Sequence, residues 1–289
     1  MKTSTEIGSI SKIVGERKAV EYVAKAGFDA WDLSMFSMVR YDWERNAVIP
    51  FNDHPLAGEN AIAFVKELRR IGEDNGIRCN QSHAPFPTRC KAIRDTYKKA
   101  LELTAVAGGE ICVIHPDNDL SAQANAEMYA ELLPFAKDCG VKIAAENMWN
   151  WDDSKGHAVA AACSSHDDFL KHILAVNDEN FVACLDIGHA EMRGLGTSAP
   201  LMIRTLGSHL QALHIHDNDR LHDSHQIPFS MDIDFKAIVD ALKDIGYGGY
   251  FTLEADRYLS SANYDESNAF QGVRELYSAV RRLKEDFES

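Results

Sequence analysis

Apolar positions along the chain follow two alternating rhythms. Short β-branched and aromatic runs each give way to a longer stretch with helical spacing, the pattern of parallel strands joined by crossover helices. The spacing predicts strands near Glu6–Ile10, Ala30–Met35, Ile77–Ser82, Glu110–Ile114, Val141–Glu146, Phe181–Asp186, Gln211–His216 and Tyr250–Glu254. The intervening helices are expected near Glu16–Ala26, Gly58–Asn75, Cys90–Ala107, Ala122–Cys139, Ser165–Val176, Ala199–Leu206, Asp234–Ile245 and Ser267–Phe287. Eight strand–helix units without a break in composition predict an α/β fold, a single (β/α)8 TIM barrel, and one domain spanning residues 1–289. The long connections, at Arg40–Pro55, Trp149–Ser164 and Asp217–Asp232, all follow strands, whereas the helix-to-strand turns at Gly27, Gly76, Gly140 and Gly246 are short. In such a barrel the long loops crowd one face.

Composition narrows the class. With 45% hydrophobic and 26% charged residues the chain reads as a globular domain, and its longest apolar stretches, such as Phe181–Leu185, fall far short of a membrane span. The start, Met1-Lys2-Thr3-Ser4-Thr5-Glu6, carries no apolar secretory segment, so a cytoplasmic protein is expected. The six cysteines are scattered, with no C-x-x-C pair, and are expected to be reduced thiols. A formal net charge of −14, with basic residues dispersed, disfavours nucleic acid as a partner. A homo-oligomer is the expectation for a barrel of this kind.

The residues that terminate the strands carry the chemistry. The third strand ends in Ser82-His83-Ala84-Pro85-Phe86, the fourth in Ile114-His115-Pro116 and the fifth in Ala145-Glu146-Asn147. The sixth ends in Leu185-Asp186-Ile187-Gly188-His189, the seventh in Leu213-His214-Ile215-His216-Asp217, and the eighth in Leu253-Glu254-Ala255-Asp256. One histidine at a strand end is most often a hydrogen-bonded structural residue. Six strands ending in His, His, Glu, Asp, His and Glu bring several carboxylates to one mouth, where a divalent cation is the simplest counter-charge. Mixed carboxylate and imidazole donors suit manganese, zinc, cobalt or iron.

At these residues the chain resembles the xylose isomerase-like barrel superfamily of sugar isomerases, sugar 3-epimerases, inosose dehydratases and metal-dependent apurinic-site endonucleases. The most specific pieces are Ala145-Glu146-Asn147, Leu185-Asp186-Ile187-Gly188-His189, His214-Ile215-His216-Asp217-Asn218 and Gly246 to Glu254. The resemblance to the ketose 3-epimerases implies one metal held by Glu146, Asp186, His214 and Glu254, with Glu146 and Glu254 as the proton-moving pair. It implies that His189 contacts a substrate oxygen, and it aligns Arg220 with a substrate-contacting arginine. His83, His115, His189, Asp223 and His225 match the further ligands of the endonuclease branch, which implies up to three metals, or else substrate contacts in sugar-processing relatives. Where the family commonly has a glycine-containing loop after His225, this chain reads Pro228-Phe229-Ser230-Met231, which puts backbone approach to a ligand there in doubt.

The expected function is thus a metal-dependent sugar isomerase or epimerase acting on a keto sugar or polyol. Proton transfer next to a carbonyl passes through an enediolate whose charge a metal stabilises. A lyase or dehydratase using the same base and metal, an endonuclease-type phosphodiesterase and a non-catalytic sugar-binding barrel are the other readings. Trp149 and Trp151 are equally well a wall against a sugar face or anchors packed on the barrel rim, and Phe36, Trp43 and Phe51 carry the same ambiguity. His216 and His222 are read as supporting or solvent-facing groups; His54, His157, His166, His172 and His209 have no assigned role. No phosphate-binding glycine motif marks a nucleotide cofactor.

Overall fold

The computed structural model describes residues 1–289. Eight parallel strands lie in chain order: β1 (Lys2–Thr5), β2 (Ala30–Ser34), β3 (Arg78–His83), β4 (Ile111–Val113), β5 (Lys142–Glu146), β6 (Phe181–Asp186), β7 (Leu210–His214) and β8 (Tyr250–Leu253). The helices that follow them are α1 (Glu16–Ala26), α2 (Ala61–Asp74), α3 (Tyr97–Ala107), α4 (Ala122–Cys139), α5 (His166–Val176), α6 (Ala199–Leu206), α7 (Phe235–Asp244) and α8 (Ala269–Glu288). Strands β2 to β7 form one continuous parallel sheet, and β1 pairs with β8. Single-residue bridges, Glu6 to Asp32 and Ile215 to Leu253, join the two pieces and close the barrel.

Two expectations shift. The first strand is Lys2–Thr5, not Glu6–Ile10, and Gly8–Val14 is a helix. The Lys-Thr-Ser-Thr run conceals a strand because its buried side chains satisfy polar partners: the Ser4 hydroxyl donates to Asn80 Oδ1 at 2.6 Å inside the barrel. The helix expected over Cys90–Ala107 divides into a turn at Lys91–Arg94 and α3. The three long connections lie where expected, after β2, β5 and β7; the first two each carry an antiparallel hairpin, Tyr41–Asp42 with Ala47–Val48 and Asn150–Asp152 with His157–Val159. No helix is long and apolar enough to cross a membrane. All six cysteines are free, four of them buried.

A core cluster of 63 buried residues fills the space between strands and helices. A smaller cluster of Val113, Ala144, Val182, Cys184 and Ala212 lies on the other strand face. Because a strand exposes alternate residues to each side, those inward positions lead in steps of two to His115, Glu146, Asp186 and His214 at the strand ends. On the opposite sector the interior is polar. Asn80, at a register shift between β2 and β3, donates to Thr252 Oγ1 at 3.2 Å and to Gln81 Oε1 at 3.1 Å, and Gln81 Nε2 donates to Asp32 Oδ2 at 3.0 Å. Burial without such partners would cost on the order of 1–3 kcal/mol per group.

Candidate metal centre

The inward step of two delivers Glu146, Asp186, His214 and Glu254 to one point. Their candidate ligand atoms all lie within 4.8 Å of one another, and all four residues are buried. His214 Nδ1 sits 3.2 Å from Glu146 Oε2 and 3.5 Å from Glu254 Oε2, while its Nε2 lies 3.3 Å from Asp32 Oδ2. Asp186 does two jobs. Its carboxylate caps the short helix Ile187–Glu191 by accepting the His189 N–H at 2.7 Å, which places the His189 ring beside the site.

Two further groups adjoin this one. His83 Nε2 and His115 Nε2 stand 2.9 Å apart, and each lies within 3.3 Å of Glu146 Oε2. On the other side three imidazole nitrogens surround one carboxylate: His225 Nε2 at 3.2 Å, His189 Nε2 at 3.4 Å and His216 Nε2 at 3.6 Å from Asp223. Most of these rings are oriented by the main chain. Nδ1 of His83, His189, His216 and His225 faces the carbonyl oxygens of Ala84, Asn147, Asp217 and Glu254, at 2.8, 2.9, 3.4 and 2.8 Å. A ring that donates Nδ1–H to a carbonyl leaves the Nε2 lone pair free to bind a cation.

The donor set fits a cation on a second ground. Buried Glu146 Oε2, Asp186 Oδ2, His214 Nδ1, His216 Nε2 and Asp223 Oδ1 have no hydrogen-bond partner. Buried polar atoms are nearly always satisfied, and five unsatisfied together mark a place for a group that accepts electron pairs.

Charge is unevenly tuned across the protein's own groups. Burial opposes the Glu146 carboxylate, but His214 and His115 outweigh it and hold its pKa well below the usual range. Burial, with Glu146 and Asp186 nearby, pushes Glu254 well above it. Burial also opposes the charge on His189, which Asp186 and Asp223 nonetheless raise to about 10, whereas burial takes His115 down to about 4.

A cavity of about 320 Å³ opens above these groups. His83, His115, Glu146, His189, Asp223, His225 and Glu254 line it, together with Trp149. Phe36, Trp43 and Phe86 form an aromatic wall, with Phe36 4.7 Å from the His83 ring and Phe86 stacked on His115 at 4.9 Å. Arg220 stands elsewhere: its guanidinium pairs with Glu191 at 3.0 Å, and the cavity's arginines are Arg89 and Arg257. Trp151 and Phe51 are exposed and line no part of it, and Trp151 stacks on His222. Phe229 adopts φ 70°, the left-handed region a glycine would favour, and its ring lies under Arg282 at 3.8 Å. The loop therefore keeps a glycine-like backbone with a side chain packed outward. Asp32, unremarked in the sequence, is the residue that addresses the far side of His214; a lone carboxylate inside Ala30-Trp31-Asp32-Leu33 is the signal that could have found it.

An eight-stranded parallel barrel with carboxylates and imidazoles converging at its C-terminal mouth defines the class: a barrel built around a candidate metal centre. Residues 20–279 match the family described as xylose isomerase-like TIM barrel, and the chain belongs to that family. Among relatives by sequence is the uncharacterized protein MJ1311 of Methanocaldococcus jannaschii, 26% identical over 258 residues, covering 82% of this chain and 78% of that protein. The fold is similar to that of a D-tagatose 3-epimerase-like protein (21% identity, TM-score 0.70, covering 100% of this chain and 97% of that one). It is similar as well to D-psicose 3-epimerase from Clostridium cellulolyticum H10 (18%, TM-score 0.69, 98% and 99%) and to the IolI protein with a bound zinc atom (17%, TM-score 0.73, 100% of both).

Proposed function

We propose that the protein is a metal-dependent sugar isomerase or epimerase that moves a proton at a carbon next to a carbonyl. The observation that carries this reading is the pair Glu146 and Glu254, on strands three apart in the barrel order, both within 3.5 Å of the same His214 nitrogen. A divalent cation held by Glu146, Asp186, His214 and Glu254 would offset negative charge developing on the substrate's adjacent oxygens. Of Glu146 and Glu254, one would remove the proton as a base and the other would return one. Return to the opposite face of the same carbon inverts it, and return to its neighbour isomerises the sugar. His189 and His83 line the cavity and would orient hydroxyls, while Trp149 and Phe36 would offer an apolar surface to the sugar. The fold's likeness to ketose 3-epimerases and to the zinc-bound IolI protein supports a sugar or polyol substrate.

The test is solvent-deuterium incorporation into a panel of ketoses with metal-reconstituted protein. Exchange in the wild type that falls by about 10²–10⁴-fold in Glu254→Gln, as expected for loss of a general acid or base, supports the assignment. A Glu254→Gln protein that exchanges at the wild-type rate refutes it. The contiguity of the His83–His115–Glu146 group with the other two favours one second reading, a phosphodiesterase using several ions. Cleavage of abasic DNA with no ketose exchange would establish it instead.

A further inference from the structure

We infer that the substrate is a glycosylated ketose of two rings: one ring reacts in the cavity above the strand ends, and the second occupies an adjoining polar cavity that the proton transfer itself does not use. The inference rests on the proposed proton transfer and names what that site accepts. The second cavity, of about 330 Å³, lies beside the C-terminal ends of β1, β2 and β8. Phe36 and Asp256 line both cavities, so the two share a wall. At about 320 and 330 Å³ each stands at the small end of ligand sites, which suits one sugar ring apiece.

The lining sets the chemistry of the second ring. Only Ile7 and Phe36 among its twelve residues are hydrophobic, and Ser9, Ser11, Ser34 and Ser37 bring four hydroxyls. Hydroxyls and carboxylates together supply the donors and acceptors that a polyhydroxylated ring must find on leaving water, and an apolar group would leave them unpaired. Three carboxylates, Glu6, Glu16 and Asp256, outnumber the single ammonium of Lys12 and repel a phosphate or carboxylate. A neutral sugar is what fits.

One acceptor is left open for it. Glu6 accepts the Ser9 N–H and hydroxyl, and Glu16 Oε1 lies 2.6 Å from His54 Nε2, so both carboxylates are engaged within the protein. Asp256 Oδ1 is buried and has no hydrogen-bond partner. The imidazole nitrogen beside it, His225 Nδ1 at 3.4 Å, is directed instead at the Glu254 carbonyl at 2.8 Å. A buried acceptor in the wall common to both cavities is satisfied by a hydroxyl of a ligand that reaches it. Asp256 stands two residues after Glu254, so the segment that presents Glu254 to the reacting ring also holds the second one. Phe36, in the same wall, packs edge-on against His83 at 4.7 Å and offers apolar surface to the C–H edges of a sugar.

The experiment takes full-length protein reconstituted with Mn²⁺ and compares fructose with maltulose and isomaltulose, each a fructose bearing a second ring, by calorimetric titration and by solvent-deuterium exchange. A disaccharide is expected to bind about 10–100-fold more tightly than fructose, the worth of a hydrogen bond to a charged acceptor, and to exchange with a correspondingly higher kcat/KM. Ser37 is exposed and lines the second cavity but not the first, so Ser37→Trp places an indole there without disturbing the core. In Ser37→Trp and in Asp256→Asn the preference for the disaccharide should fall about 10-fold or more. Fructose that binds as tightly as both disaccharides, no binding of either disaccharide, or a preference retained in either folded variant overturns the inference; exchange of fructose in those cases leaves the proton-transfer reading standing. A disaccharide preference that both variants abolish, without exchange of any sugar, supports the second cavity and overturns the proton-transfer reading instead. Should one variant fail to fold by circular dichroism, the other decides.

Discussion

Glu6 carries a charge that the fold disfavours, and replacing it with glutamine tests how the barrel treats carboxylates near its mouth. The side chain is buried, and its carboxylate accepts the Ser9 N–H at 2.9 Å and the Ser9 hydroxyl. Burial first, and then Asp256, raise its pKa from 4.5 to about 7. The native state thus binds this proton more tightly than the unfolded chain does. Below pH 4.5 the group is neutral in both states and has no effect on stability. Between 4.5 and 7 the unfolded chain ionises first, so native stability falls, and above 7 the full penalty is in place. A shift of about 2.5 units corresponds to roughly 3 kcal/mol, taken as order of magnitude for a buried group. Glu6→Gln imitates the protonated acid, since its amide can donate to Ser9 Oγ while its carbonyl accepts from Ser9 N. Urea unfolding of metal-free wild type and Glu6→Gln from pH 4 to 8.5 should give equal stabilities at the acid end. The glutamine variant should gain up to about 3 kcal/mol above pH 7, which in a thermal melt corresponds to at most about 5 °C in midpoint. A difference that stays constant across pH would refute the reasoning, because it would locate the effect in packing rather than in charge.

Three other outcomes follow from the site. Gly188→Ala drives a methyl into the His216 ring, which the stacked His225 prevents from yielding; a loss of about 1–3 kcal/mol in thermal or urea unfolding is expected. Asp32→Asn removes the acceptor opposite His214 Nε2, and chelator competition should register a roughly 10–100-fold weaker hold on the ion bound by Glu146, Asp186, His214 and Glu254. Arg220→Ala should leave KM for any accepted sugar unchanged and cost about 1 kcal/mol or less in unfolding free energy, since its partner is Glu191 and not the cavity.

Much of this architecture was legible along the chain because a parallel barrel strand buried on both faces reads as an apolar run, and the residue that ends the run becomes conspicuous. Asp186 and His214 stand out in that way, and Ala122–Cys139 and Phe181–Asp186 have the expected bounds. Where the barrel interior is itself polar the signal fails: Lys2–Thr5 contains no apolar residue, yet three of its four residues are buried. Asp32 was illegible as a partner because its contact with His214 spans 182 residues. Arg220 lies in a long loop, where a count of residues from His214 does not fix direction; the observed backbone at φ 62° turns it toward Glu191.

The closure of the barrel by two single-residue bridges means that its wall is made of two plates. The six-stranded plate bears Glu146, Asp186 and His214, and the β1–β8 plate bears Glu6 and leads into Glu254. The gap between Glu146 and Glu254 is therefore set by seams, at Ile215–Leu253 on one side and Glu6–Asp32 on the other. On the proposed chemistry that gap governs whether the proton returns to the carbon it left or to the next one. A small change at seam residues such as Thr252 or Ile215, which do not line the cavity, would shift Glu254 against Glu146 and so alter the proposed proton transfer from outside the site.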